Sequence, residues 1–222
     1  MGSAAVVHDG QVLAELRGDP RLTHGERLPG ELMKALEAAD VALRDVNLLA
    51  VAAGPGSFTG LRVGVAAMQG LATATGLRVV PVSALEALAR LAPAGSELVG
   101  AWIDAQRGQV FAALFAGGTS DPLLAPSAVP PSDTLALWHD RLTGRAVTFL
   151  GDGALRYGEV ITHHLGKRAT VVPVAPPLAA AIGRIAAAHP ERAVLPHAIV
   201  PIYIRRPDAE LARLKAVAKS DD

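Results

Sequence analysis

The chain reads Gly54-Pro55-Gly56-Ser57-Phe58-Thr59-Gly60-Leu61-Arg62-Val63-Gly64 between two apolar segments of different character. Residues 47–53 before it form a short apolar run, which is typical of a strand covered on both faces of a sheet. Residues 61–75 are rich in small side chains, and their pattern predicts a helix that ends at Gly76. Because glycine tolerates backbone angles that other residues resist, we predict a tight strand-to-helix turn here.

Two interpretations of this turn are open. Ser57 or Thr59 can cap the helix, and N–H groups at the amino end of a helix attract anions. The stretch is not a P-loop, because Gly60 lacks a following Lys-Ser or Lys-Thr pair. We favour a structural turn and keep a phosphate contact as the alternative. The residues concerned are Gly54, Gly56, Ser57, Thr59 and Gly60.

Predicted strands alternate with predicted helices along the chain, which indicates an α/β architecture. Asp9-Gly10 between two apolar runs predicts a hairpin. A breaker cluster at residues 93–96 predicts two lobes, 1–97 and 98–222, and a tail that packs back on the first lobe stays open. The predicted strands are 4–8, 11–17, 47–53, 78–82, 98–103, 109–115 and 146–150. The predicted helices are 25–43, 61–75, 84–91, 135–141, one that ends at 165, 177–189 and 208–219.

The composition excludes several classes of protein. Among 222 residues, 21 Lys plus Arg balance 21 Asp plus Glu, which argues against a protein that grips nucleic acid by itself. The chain has no cysteine, which excludes disulfides, thiolate nucleophiles and cysteine-ligated zinc. No apolar run approaches the roughly 20 residues of a membrane span, and the amino terminus lacks a signal-peptide pattern. We therefore expect a cytoplasmic protein.

Candidate catalytic side chains are few. No two histidines are spaced at i and i+4, so no helix presents a two-histidine metal face. Asp104 and Asp152 each adjoin a glycine turn after a predicted strand, where a carboxylate can serve an active site. Aspartate also suits turns for local hydrogen-bonding reasons, and we favour that role. Since Ser57 lacks the context of a nucleophile elbow, we predict no catalytic residue and no metal ligand.

Several segments together resemble the TsaB family. Residues 54–64 resemble the signature of that family, and residues 24–28, 83–89, 103–111 and 201–205 are similar to other family segments in the same order. The similarity covers nearly the whole chain. The match to the signature is highly specific, whereas each of the other segments alone is only modest evidence for the family.

The resemblance implies the two-lobed, actin-like ATPase fold of the ribonuclease-H-like type. It implies a non-catalytic subunit that binds and activates TsaD, the paralogue that transfers a threonylcarbamoyl group to the adenosine next to the anticodon of tRNA. The partners implied are TsaD, TsaE and a second copy of this chain, with tRNA contacted only indirectly. No strongly bound cofactor is expected, and an ATP site at the interface with TsaD stays open. The alternatives are a glycoprotease-like peptidase, an independent ATPase and a self-sufficient homodimeric module.

In the resembled family, the helices predicted at 25–43 and 61–75 build a four-helix interface with TsaD that also serves self-association. Both helices carry apolar stripes at helical spacing. The stripes either pack only on the chain's own sheet or extend to a partner, and we expect their outer faces to meet another chain. The predicted interface residues are Leu28, Leu32, Met33, Leu36, Arg62, Val65, Ala66 and Gln69.

The sequence departs from the family at its start. Family members begin with a strand of the type Leu-Ala-Leu-Asp-Thr-Ser before the hairpin, whereas this sequence begins with Met1-Gly2-Ser3 where that strand has ended. We expect the opening strand of the N-terminal lobe and its Asp to be missing. This expectation weakens the case for an ATP site and predicts a gap or an unpaired edge in the first sheet.

Overall fold

Nine strands organise the residues that the computed structural model describes, which are 2–19 and 24–205. They are β1 (Ser3–His8), β2 (Gln11–Arg17), β3 (Leu49–Gly54), β4 (Val79–Ser83), β5 (Leu98–Asp104), β6 (Val110–Ala116), β7 (Ser127–Val129), β8 (Val147–Leu150) and β9 (Ala169–Val171). Strand β1 pairs antiparallel with β2, and β3 pairs parallel with β4, as two separate sheets. The other five strands form a mixed sheet in the order β7-β6-β5-β8-β9.

Eight α-helices lie in the same described ranges. They are α1 (His24–Ala38), α2 (Phe58–Thr75), α3 (Ala84–Ala89), α4 (Pro131–Leu137), α5 (His139–Leu142), α6 (Asp152–Arg156), α7 (Gly158–Leu165) and α8 (Ala179–Ala188). The predicted α/β architecture is therefore confirmed. No helix in the described part of the chain is both long enough and apolar enough to cross a membrane.

The predicted hairpin at Asp9-Gly10 is confirmed. Both turn residues have positive φ, 48° at Asp9 and 76° at Gly10, as a two-residue type I′ turn requires. The register shifts between Val6 and Val7, which is the mark of a β-bulge. The turn chemistry thus joins β1 to β2 as predicted.

Helix α1 ends earlier than the prediction of a helix to residue 43. Asp40 adopts a left-handed backbone with φ 54°. The N–H of Val41 donates to the Leu36 carbonyl at 3.0 Å, and the N–H of Asp40 donates to the Glu37 carbonyl at 3.0 Å. These two bonds form a Schellman cap with Asp in the position that glycine usually holds, so the helix ends at Ala38. A 3₁₀ turn at Leu43–Asp45 follows.

The residues that cap α2 and α3 are among those that the sequence predicts as caps. Ser57 caps α2 by accepting from the N–H of Gly60 at 3.4 Å, so the helix starts at Phe58, three residues before the predicted start. Gly76, with φ 74°, ends α2 as predicted. Ser83 caps α3 through the N–H of Glu86, which confirms the predicted cap.

The secondary-structure elements that the sequence analysis did not predict correctly are mainly short ones. Strands β7 and β9 have three residues each and were not predicted, because runs this short give no periodic signal. The helix predicted at 135–141 divides at Trp138 into α4 and α5. The helix predicted at 208–219 lies outside the described residues.

Helix α8 joins the two halves of the chain. Its residues Ile182, Ile185 and Ala186 pack in one buried cluster with Val80 and Val82 of β4. It also contacts β1, β2 and β3. Residues 179–188, which the predicted division assigns to the second lobe, therefore pack on the strands of the first.

The five-stranded sheet has its own core. Trp102 meets the rings of Trp138 and Phe149 edge to face, with ring centroids 6.0 Å and 5.3 Å away. All three side chains are buried. The edge-to-face packing of large rings anchors this half of the molecule.

Candidate functional site

The glycine turn is held by the last described segment of the chain. Strand β3 ends at Gly54, which has φ 117° and precedes a cis peptide bond to Pro55. A side-chain carbon at Gly54 would lie 2.7 Å from the carbonyl oxygen of Ile202. The N–H of Ile202 donates to the Ala53 carbonyl at 2.7 Å. Only glycine fits this close approach, so Gly54 serves to admit the backbone of residues 201–205.

An aromatic and cationic patch forms where this segment crosses the start of α2. The rings of Phe58 and Tyr203 lie 5.7 Å apart, and the Arg62 guanidinium lies 4.0 Å from the centre of the Phe58 ring. Phe58 is 39% exposed and Tyr203 is 42% exposed. Aromatic and arginine side chains that remain at a surface are the residue types that dominate protein–protein interfaces.

The sequence prediction missed the aromatic members of this patch. The spacing of Phe58 and Arg62, one helical turn apart, was a usable signal. Tyr203 gave no such signal, because its contact with Phe58 depends on the path of the chain after α8. We call Phe58, Arg62 and Tyr203 the aromatic patch.

The predicted interface residues divide into exposed and interior members. Met33 is 56% exposed, and Arg62 and Ala66 are also exposed. Leu36 and Val65 are only 9% and 6% exposed and form part of the chain's own core. The remaining three predicted residues are half-buried, namely Leu28, Leu32 and Gln69. The Nε2 of Gln69 donates to the Pro196 carbonyl at 2.9 Å, so this amide is already engaged within the chain.

The outer face of α2 is built from small side chains. Ala66, Gly70 and Thr73 are exposed and follow Arg62 at spacings of three and four residues. A side-chain carbon added at Gly70 would meet no other atom within 4 Å. Small side chains let another helix approach closely, since the distance between packed helices depends on the side chains between them. We call Met33 together with this row, Arg62, Ala66, Gly70 and Thr73, the α1/α2 face.

The two carboxylates predicted for turns hold turns together. Asp104 accepts from the backbone N–H of Gln106 at 3.0 Å and from Arg156 at 2.8 Å. Asp152 accepts from the backbone N–H of Asp104 at 3.0 Å. Gln106 has φ 60° and lies in the turn between β5 and β6. Asp104 thus acts on its own turn, whereas Asp152 joins the start of α6 to the end of β5.

A large cavity lies between the two small sheets and ends at the glycine turn. Its volume is about 2130 Å³. It is lined by residues of β1, β3, α1, α2 and α8 and, at one end, by polar groups of both halves of the chain. The polar end includes Ser57, Asp104, Gln106, Asp152 and Arg205.

This polar end does not fit a nucleotide phosphate through the chain's own groups. Two carboxylates line it, and they repel phosphate unless a cation intervenes. Arg205 donates to the Gln109 side chain at 3.0 Å, and Arg156 is paired with Asp104. Within the described ranges, no cluster of three or more His, Cys, Asp or Glu residues could hold a metal ion.

Comparisons with known proteins identify related chains. A family model described as "TsaD: tRNA N6-adenosine threonylcarbamoyltransferase" matches residues 21–212. The TsaB protein of Bacillus subtilis is 29% identical over 213 residues, which cover 93% of this chain and 90% of that protein. The Escherichia coli TsaB protein is 39% identical over 111 residues, which cover 49% of this chain and 48% of that protein. The solved structure of YeaZ from Pseudomonas aeruginosa superposes with a TM-score of 0.74 at 28% identity, covering 90% of this chain and 93% of that one.

Proposed function

The chain belongs to the TsaB family, within the broader family described as tRNA N6-adenosine threonylcarbamoyltransferase TsaD, and on that premise we propose that it takes part in forming threonylcarbamoyladenosine on tRNA. Its role is that of a non-catalytic subunit. It binds TsaD and activates that enzyme for transfer of the threonylcarbamoyl group to the adenosine next to the anticodon. Such work on tRNA takes place in the cytoplasm.

The α1/α2 face carries this proposal. It combines an exposed methionine, an exposed arginine and a row of small side chains on neighbouring helices that pack on each other. The buried residues Leu36 of α1 and Val65 of α2 hold the two helices on the core, so the face is presented on a rigid support. The aromatic patch shares Arg62 with this face and extends it toward Tyr203.

The internal contacts of the turn residues favour a structural over a chemical role. Gly54 admits the backbone of Ile202, and Ser57 caps α2. Asp104 accepts a hydrogen bond from the backbone of its own turn, and Asp152 accepts one from the backbone N–H of Asp104 at the end of β5. Each of these groups already has a structural partner, and this supports a protein that acts by binding.

Further partners belong to the same proposal. The α1/α2 face would serve a second copy of the chain when TsaD is absent, so TsaD and self-association would compete. TsaE would join the TsaD-bound form, and tRNA would contact this chain only indirectly. ATP at the interface with TsaD would need cations from the partner, because the polar end of the cavity carries two carboxylates.

The finer architecture is also proposed. The two halves form the lobes of an actin-like ATPase fold. The match of residues 21–212 to the TsaD family model supports this view.

Reconstitution of the tRNA modification with purified components tests the proposal. TsaD, TsaE, the threonylcarbamoyl donor and tRNA are combined with and without this chain, and modified adenosine is measured by mass spectrometry. We expect modification only when the chain is present. Equal modification in its absence would overturn the proposed role.

A further inference from the structure

Residues 201–205 contact both halves of the molecule, and we call them the bridging segment. The N–H of Ile202 donates to the carbonyl of Ala53 in β3 at 2.7 Å. The Tyr203 ring meets Phe58 of α2, with ring centroids 5.7 Å apart. These contacts place the start of the segment on the half that carries the α1/α2 face.

The end of the bridging segment contacts the five-stranded sheet. Nη1 of Arg205 donates to Oε1 of Gln109 at 3.0 Å, and the guanidinium lies 6.0 Å from the centre of the Phe111 ring in β6. Ile204 packs against the buried cluster that contains Val99 of β5. The segment therefore links the aromatic patch to a sheet that contributes no residue to that patch.

Gln109 is a fixed acceptor for Arg205. Its N–H donates to the Gln106 carbonyl at 3.1 Å, and its carbonyl accepts from the N–H of Ala105 at 3.0 Å. Both bonds close the turn between β5 and β6. Because the backbone of Gln109 is bonded in both directions and the residue is half-buried, it gives Arg205 a rigid point of attachment.

Tyr203 lies between two attached neighbours. Ile202 is attached through its backbone and Arg205 through its side chain. Two residues of chain span at most about 7 Å, so the attachment of Arg205 restricts where the Tyr203 backbone can lie. The rings of Phe58 and Tyr203 are both exposed, and ordering an exposed side chain during association weakens binding. A ring that is already in place avoids part of that cost.

We propose that Arg205 is a positioning residue for the partner surface. Its hydrogen bond to Gln109 keeps Tyr203 on Phe58, so the aromatic patch is formed before a partner arrives. This inference rests on the proposed docking of TsaD at the α1/α2 face, which the aromatic patch extends. It gives Arg205 and Gln109, which lie outside that face, control over the affinity of a surface on α2.

Fluorine NMR tests the positioning without any partner. The chain has two tyrosines, and meta-fluorotyrosine replaces both. Tyr157 packs against the core of the five-stranded sheet and serves as the internal reference, and Tyr203→Phe assigns the other signal. Gln109→Met removes the acceptor and keeps the length of the side chain. We expect the Tyr203 signal of this variant to move toward that of the unfolded chain, while the Tyr157 signal stays in place.

Calorimetric titration with TsaD tests the consequence for binding. The donor in the Arg205–Gln109 bond is charged, so Gln109→Met should weaken TsaD binding by about tenfold. Gln109→Glu keeps an acceptor oxygen and should restore both the affinity and the Tyr203 signal. Glu97→Gln is the matched control. It alters a hydrogen bond from Arg145 at the opposite end of β5, and it should bind TsaD like the unaltered chain.

Three results would overturn the proposal. They are a Tyr203 signal that does not move in Gln109→Met, a lower affinity that Gln109→Glu fails to restore, and an equal loss of affinity in Glu97→Gln. Arg205→Met removes the donor of the same bond and replaces Gln109→Met in both measurements if that variant fails to fold. Failure of the unaltered chain to bind TsaD would overturn the proposed function, whereas the fluorine signal would still decide whether Arg205 positions Tyr203.

Discussion

The backbone of Ile202 occupies the space that any side chain at Gly54 would need, with its carbonyl oxygen 2.7 Å from the point where the first side-chain carbon would lie. This contact brings the last described segment of the chain onto the start of α2. The aromatic patch exists because of it, since Tyr203 follows Ile202 and Phe58 opens α2. A local turn signal in the sequence therefore also sets a contact between distant parts of the chain.

Replacing Gly54 with alanine should destabilise the protein by about 2–3 kcal/mol, because the new carbon meets backbone and the residue keeps a positive φ. Gly70→Ala is the matched control. It lies inside α2 with open space around it, so it should stabilise by up to about 1 kcal/mol. Urea unfolding of both variants measures the difference. Equal effects of the two substitutions would contradict the close approach at Gly54.

The aromatic patch should show coupling between Phe58 and Arg62. Because the guanidinium lies over the ring, a double-mutant cycle with Phe58→Leu and Arg62→Ala should give a coupling of about 0.5–1 kcal/mol. Because the two groups are in contact at 4.0 Å, well within the Debye length of about 10 Å at 0.1 M salt, raising the salt concentration should reduce the coupling only slightly. Unfolding free energies of the four proteins give this value. Additive effects would show that the contact contributes nothing.

Asp104 and Asp152 should behave as structural residues. Asp104→Asn removes a charge that accepts from Gln106 and Arg156, and we expect a loss of about 1–2 kcal/mol in unfolding free energy. Arg156 is largely exposed, so its share of this loss should be small. In the reconstituted modification at saturating chain, the variant should support the wild-type rate. A fall of about a hundredfold would instead indicate a chemical role.

Glu97 should make stability depend on pH. The hydrogen bond from the Arg145 side chain, and then that from the Ala146 N–H, hold the pKa of Glu97 below its ordinary value. A lowered pKa in the folded state stabilises the protein above the ordinary pKa, and that contribution is lost as the pH falls through the folded value. Glu97→Gln should therefore lower the urea midpoint near neutral pH, and this difference should shrink as the pH falls below the ordinary pKa of a glutamate. A difference that persists in acid would contradict this.

The hairpin and the glycine turn could be predicted from sequence because each depends on local backbone chemistry. Asp9-Gly10 and Gly54 are both positions of positive φ, which leave a clear residue signature. The end of α1 could not be placed, because Asp40 fills a left-handed position where glycine is the usual signal. The same local rule therefore succeeded at Gly76 and failed at Asp40.

The candidate interface could be predicted only in part for a different reason. Helical spacing identified the apolar stripes of α1 and α2, but spacing does not say which side of a stripe meets the chain's own core. The structure buries Leu36 and Val65 and leaves Met33 and Ala66 exposed. The Phe58–Tyr203 contact depends on the folded path of the chain, which no local pattern contains.

The most direct test of the docking role is the affinity for TsaD of three proteins: the unaltered chain, Ala66→Arg and Ala136→Arg. Both alanines are exposed on helices, so each substitution should leave the thermal midpoint nearly unchanged. Only Ala66 lies on the α1/α2 face. We predict that Ala66→Arg reduces TsaD binding by at least about a hundredfold in calorimetric titration, whereas Ala136→Arg binds like the unaltered chain. Unchanged TsaD binding by a folded Ala66→Arg protein would contradict the proposed docking role.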